Sequence, residues 1–142
     1  MLATVVFGSG PTYRRPGASA VIAEGGEVIG AVSGGCLDSD IRESAEQVMA
    51  GGSPRLLDYN TAGPEDLLWG TGSGCGGQVR ILVAGVDDTL LKAVVDTLDR
   101  GEPVTLDTVV TPGPDLGRRL VVRSDASAES GIFRQTLQPP VT

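Results

Sequence analysis

A chain of 142 residues that is 40% hydrophobic can bury one core, or one core and a small annex, and its few aromatic residues (Trp69, Tyr13, Tyr59, Phe7 and Phe133) make that core aliphatic. A net charge of −7 and a pI near 4.4 argue against nonspecific nucleic-acid binding and against an anionic membrane surface. The complete lack of histidine removes the usual general base, the Ser-His and Cys-His pairs and the commonest zinc ligand.

Residues 2–7 are a β-branched run and predict a strand. Residues 8–17 are a loop by composition and carry Arg14-Arg15. Two short apolar runs, 18–24 and 28–33, flank Gly25-Gly26 and predict a hairpin. The hairpin delivers the turn Ser33-Gly34-Gly35-Cys36. A helix follows, with Asp38 or Ser39 as its expected cap and Asp40 with Glu43 at capping-box spacing. Ile41, Ala45, Val48 and Met49 share one face, and Gly51-Gly52 stops the helix.

Residues 54–59 predict a strand and 60–69 a polar loop. A second glycine-rich thiol loop, Gly72-Ser73-Gly74-Cys75-Gly76-Gly77, leads into residues 78–84, where Val79, Ile81 and Val83 alternate with Gln78, Arg80 and Leu82. Asp87-Asp88-Thr89 opens a second helix, with Leu90, Leu91, Val94, Val95 and Leu98 as its stripe and Gly101 and Pro103 at its end. Residues 104–110 predict a strand, 111–117 a turn, and 120–123 and 132–137 two weaker strands. Thr4-Val5-Val6 recurs as Thr108-Val109-Val110, which fits a decayed duplication or two unrelated β-branched strands equally well. The expected class is α+β: a mixed, largely antiparallel sheet with two amphipathic helices.

Gly72 to Gly77 formally matches G-x-G-x-x-G, yet a strand follows it where a dinucleotide fingerprint needs a helix. The chemistry on offer is two thiols, Cys36 and Cys75, each presented in glycine. Cys36 stands just before a helix, where N–H groups and the macrodipole favour a thiolate or a bound anion. A thiolate is a soft metal ligand. The two cysteines form no C-x-x-C pattern, and zinc would need two carboxylates to complete its shell. Two inert buried cysteines are the plain alternative. Arg14-Arg15, a pair of guanidinium forks beside glycines, suits phosphate or carboxylate, or is a solvated surface pair. The N-terminus has no basic region followed by a long apolar one, and no run approaches a membrane span, so the expected compartment is cytoplasmic.

Five pieces, in order, carry a resemblance: Ala3-Thr4-Val5-Val6; Gly10-Pro11-Thr12-Tyr13-Arg14-Arg15-Pro16-Gly17-Ala18; Ser33-Gly34-Gly35-Cys36-Leu37-Asp38; Asp58-Tyr59-Asn60-Thr61; and Trp69-Gly70-Thr71-Gly72-Ser73-Gly74-Cys75-Gly76-Gly77. Together they resemble the XdhC/CoxI family, accessory proteins in xanthine dehydrogenase and carbon monoxide dehydrogenase maturation. The resemblance implies an accessory rather than catalytic role: binding the molybdenum cofactor (molybdopterin), supporting its sulfuration by a cysteine desulfurase, and handing it to an apo-molybdoenzyme of xanthine dehydrogenase type. It also implies a cytoplasmic homodimer.

Carried over by position, Cys36 and Cys75 become candidates for contact with the metal or its sulfur ligands. Arg14, Arg15, Gly34, Gly35, Gly76 and Gly77 become candidates for the rest of the cofactor. Ser19-Ala20 stands where the family usually has Arg-Met, and Asp38 is one methylene shorter than the family's usual Glu. Residues 1–86 would form the XdhC/CoxI-type domain and 87–142 a linker or annex. The family's C-terminal Rossmann-like domain has no counterpart in these residues. The alternatives are a thiol-redox or sulfur-transfer protein using Cys36 as nucleophile, and a truncated remnant that only docks on a partner.

Overall fold

The structure, a computed structural model, describes residues 1–10, 15–35, 37–60, 77–123, 125, 127 and 129–141. The chain divides into two compact units, Met1–Gly85 and Val86–Thr142.

The first unit is built on β1 (Leu2–Ser9), the middle strand of a five-stranded sheet. β2 (Ser19–Ile22) and then β3 (Val28–Gly30) lie to one side of it. β5 (Gln78–Ala84) and then β4 (Arg55–Asn60) lie to the other. All these pairings are antiparallel. The central position of β1 matches its sequence, since Ala3, Thr4, Val5 and Val6 are all buried.

β1 carries a register shift: Val5 faces Ile81, but Phe7 faces Arg80. The extra residue, Val6, reverses the alternation. Without it Phe7 would follow Ala3 and Val5 into the core; with it Phe7 joins Arg80 on the other face and is 42% exposed.

Helix α1 (Asp38–Met49) lays Ile41, Ala45 and Val48 on the sheet face made by Ala3, Val5, Ala20, Ile22, Val79, Ile81 and Val83. Leu37, Met49, Leu57 and Tyr59 pack around this core. Each fully buried aliphatic side chain there contributes about 1.5–3 kcal/mol of transfer free energy. The 3.6-residue stripe of α1 and the alternation of β5 both lead to the predicted side chains. Leu82, on the other face of β5, is fully buried as well.

In the second unit, α2 (Asp88–Asp99) starts where Asp87 accepts the Leu90 N–H at 2.9 Å, a side-chain N-cap. Only Val94 of its predicted stripe is fully buried, while Leu91 and Val95 are exposed. β6 (Val104–Val109) is the middle strand of a second sheet, between β7 (Arg119–Val122) and β8 (Ile132–Leu137), again antiparallel. Asp107 and Arg134 stand directly opposite each other in β6 and β8 and form a two-pronged ion pair at 2.7 and 2.8 Å. The class is α+β as expected, with the strands divided between two sheets.

Candidate functional site

The strand registers decide which loops can meet. Gln78, the first residue of β5, faces both Ser9, the last residue of β1, and Asn60, the last of β4. Ser19, the first of β2, faces Thr4, and Gly30, the last of β3, faces Ala20. So β1, β3 and β4 end, and β2 and β5 begin, at the same end of the sheet. Three connections leave or enter there: the one between β1 and β2, the turn from β3 into α1, and the one between β4 and β5. These are the three segments whose sequence singled out arginines, glycines and thiols.

Of the residues named from sequence, Arg15, Gly34, Gly35 and Gly77 are described; Arg14, Cys36, Cys75 and Gly76 lie outside the described residues. Arg15 is exposed, its carbonyl accepts the Ala18 N–H at 3.0 Å, and it makes no ion pair among the described residues. Gly77 is buried and leads directly into β5, so a strand does follow the second glycine loop.

Gly34 and Gly35 are exposed on the turn before α1. Gly35 has φ +105°, and a Cβ built on it would meet no atom within 4 Å. Glycine is therefore required there by backbone conformation, and the space above it is open to an incoming group. Ser33 is buried and fixes the turn: its hydroxyl donates to Asp38 Oδ1 at 2.9 Å and accepts the Gly35 N–H at 3.2 Å. This corrects the expected cap. Leu37, not Asp38 or Ser39, occupies the N-cap position and makes no side-chain capping bond. Asp38 is instead the first helical residue, with its carboxylate turned back to Ser33. Its short side chain suits that 2.9 Å contact.

The Asp58-Tyr59-Asn60 segment braces the same end, a role that sequence reading missed. Tyr59 faces the core side of β4, and its hydroxyl donates to Asp40 Oδ2 in the first turn of α1 at 2.5 Å. Burial, reinforced by the hydrogen bond to Asp40 and by its negative charge, pushes the phenol pKa well above its ordinary value of 10.0. On the opposite face Arg80 pairs with Asp58 at 2.6 Å and lies over the Phe7 ring, 5.8 Å from its centroid. The register that joins Asp58 to Arg80 and Arg80 to Phe7 is visible only once the strands are paired.

A small cavity of about 50 Å³ lies between β2, β3 and the start of α1, lined among others by Val28, Gly30, Val32, Asp38 and Arg42. Room for a water or two is far below the several hundred Å³ of a typical small-molecule site. Among the described residues no three His, Cys, Asp or Glu side chains gather as a metal site, and no helix is long and apolar enough to cross a membrane.

The model of the XdhC and CoxI family matches residues 1–60. A curated protein of Bacillus subtilis (strain 168), named as a probable xanthine dehydrogenase subunit, is 32% identical over 108 residues. That alignment covers 74% of this chain and 33% of the relative. A crystal structure from Bacillus halodurans, described as a xanthine dehydrogenase, superposes with a TM-score of 0.80 and 28% identity. It covers 97% of this chain and 48% of that chain. The chain thus spans about a third of the curated relative and about half of the solved one. The matched segment contains both the Ser33-to-Asp38 turn and Asp58-Tyr59-Asn60, and residues 1–60 of this chain are an XdhC and CoxI family segment.

Proposed function

We propose that this chain is an accessory module for maturing a xanthine dehydrogenase-type molybdoenzyme, and that it binds the molybdenum cofactor at the loop-bearing end of the five-stranded sheet. The observation that carries this reading is the shared register. The described residues flanking all three glycine-rich connections, Ser9, Gly30, Asn60 and Gln78 among them, lie at one end. The residues present fit an anionic guest: Gly35 faces open space, and Arg15 is exposed with no ion pair among the described residues. In this reading Cys36 and Cys75 contact the metal or its sulfur ligands. Arg14 and Arg15 take the phosphate, and the backbones of Gly34, Gly35, Gly76 and Gly77 line the approach.

When bound, the molybdenum centre supplies the redox and sulfur chemistry that the recipient enzyme uses. This chain's part is to hold, orient and shield it, with a cysteine desulfurase and the apo-enzyme as successive partners, as a cytoplasmic homodimer.

The test uses the full chain purified from a cofactor-producing host and weighed by native mass spectrometry. Wild type should retain the mass of the cofactor, and Cys36→Ala and Cys75→Ala should each retain less. Absence of any bound mass in the wild type would remove the cofactor from the reading. Retention unchanged from wild type in both variants would remove the thiols.

A further inference from the structure

We propose that Phe7 and Arg80 form a stacking platform for the flat pterin ring of the cofactor. The inference takes the identity of the ring from the maturation reading above and its place from the strand registers.

Phe7 is the one exposed aromatic side chain among the described residues, at 42%. The fold itself puts it there. Ala3 and Val5 face the core, and the shift at Val6 turns Phe7 to the other face. The sheet thereby gives up a regular ladder position and the burial of a large aromatic side chain. Bulges of this kind re-aim side chains beside functional sites. A position that breaks the burial pattern without a gain in packing points to a ligand.

The registers set Phe7 at the loop-bearing end. It lies two residues before Ser9, where β1 ends, and Arg80 lies two residues after Gln78, where β5 begins. Those strand ends carry two of the three connections, the ones that contain Arg14-Arg15 and Cys75. Gly17, whose N–H donates to the Val5 carbonyl at 2.7 Å, brings the returning end of the arginine-bearing connection back to the same stretch of β1.

The side chains there select a planar heterocycle. The Arg80 guanidinium carbon stands 5.8 Å from the centre of the Phe7 ring, and the Arg80 Nε–H donates to Asp58 Oδ1 at 2.6 Å. An aromatic ring beside a held guanidinium attracts a flat heteroaromatic ring by stacking, dispersion and cation–π attraction. The Arg80 and Asp58 side chains remain 38% and 53% exposed. Guanidinium donors and a carboxylate acceptor therefore stand together at the rim of the platform. The pyrimidinone edge of a pterin carries a carbonyl acceptor next to N–H donors and matches both. Adenine is as flat but has no carbonyl for Arg80.

The test follows the nuclear magnetic resonance signals of the isotope-labelled full chain, made without cofactor, during titration with neopterin, a soluble pterin. Neopterin should shift the Phe7 ring and Arg80 Nε–H signals saturably. Phe7→Ala, at an exposed position, should keep the circular dichroism of the wild type and weaken binding by about tenfold or more. Phe7→Trp, which returns a flat ring, should restore binding, and adenosine should bind the wild type more weakly than neopterin does. Lack of a saturable shift in the wild type, or shifts that leave Phe7 and Arg80 untouched, would overturn the proposal. So would equal binding by Phe7→Ala, failure of Phe7→Trp to restore it, or adenosine binding as tightly as neopterin. Neopterin bound at Phe7 by a chain that carries no cofactor from a producing host would uphold the platform and sink the maturation reading. Cofactor retained undiminished by Phe7→Ala would sink the platform and leave that reading standing.

Discussion

At the scale of single residues, one side chain and one glycine have consequences that can be measured. The first is the Tyr59–Asp40 bond, which ties the end of β4 to the first turn of α1. Tyr59→Phe keeps the ring in the core and removes only the hydroxyl. At this half-buried position the expected loss is about 1 kcal/mol in urea unfolding at neutral pH. The raised phenol pKa fixes the alkaline behaviour. Its contribution is complete below the unfolded value of 10.0 and is lost as pH rises through that value toward the higher folded one. Wild type should therefore lose stability above about pH 10 more steeply than Tyr59→Phe, and equal slopes would show that Tyr59 ionises as in the unfolded chain.

The second is Gly30, with φ +95° and a virtual Cβ 2.5 Å from the Ser19 carbonyl oxygen. Because that oxygen is backbone, it cannot swing aside. Gly30→Ala should cost about 2 kcal/mol or more. Gly25→Ala, in the turn of the same hairpin with nothing within 4 Å, should cost far less. Similar midpoints for the two variants would refute the clash.

At the scale of elements, patterns local to one segment are legible in the sequence and patterns that need a partner segment are not. The alternation of Val79, Ile81 and Val83 and the stripe Ile41, Ala45 and Val48 each fix a buried face within one element, and both lead to the core. The run 28–33 predicts one strand, but the strand stops at Gly30, because residues 32–35 bend to form the turn. The start of α1 differs from expectation because Asp38 has the side chain of a cap but a better partner in Ser33, five residues back. The one-residue shift at Val6 has no local signature, and it alone takes Phe7 out of the core and sets it beside Arg80.

The site follows the same rule. Its glycines, arginines and thiols are conspicuous in sequence, but their common end of the sheet follows only from pairing Ser9 and Asn60 with Gln78. The two helix starts allow a direct comparison. Asp87→Ala removes a capping bond at 2.9 Å and should cost α2 about 1 kcal/mol. Ser33→Ala should act differently. It should speed amide exchange at Gly35, whose N–H loses its acceptor, with little change within the body of α1. Uniform loss of protection along α1 would mean that Ser33 supports the helix rather than the turn.

At the scale of the whole molecule, the two units hold their polar anchors in different ways, so acid and alkali should act on different parts of the chain. Among the described residues of the first unit the most displaced group is the Tyr59 phenol, which responds to alkali. The second unit relies on the fork between Asp107 and Arg134, two prongs across directly opposed residues of its middle strand and its neighbour. Hydrogen bonding to Arg134 holds the Asp107 carboxyl below its usual value of 3.8, against a smaller opposing effect of burial. A depressed folded pKa means that the stabilisation is fully present above the unfolded value and is lost as pH falls through the lowered one. Acid should therefore release the pairing of β6 with β8 only after ordinary surface carboxylates have protonated. Asp107→Asn keeps the shape and one acceptor but removes the charge. It should lower stability at neutral pH and remove this late part of the acid dependence, so that wild type and variant converge at the acid end of the titration. Hydrogen exchange measured along a pH series would locate the effect. Protection at Leu106, Thr108 and Gln135, whose amides face the β6–β8 ladder, should fall in the variant at neutral pH, while Ile81 and Val83 in the first unit stay unchanged. Equal acid slopes for the two proteins would show that the fork contributes no pH-dependent stability.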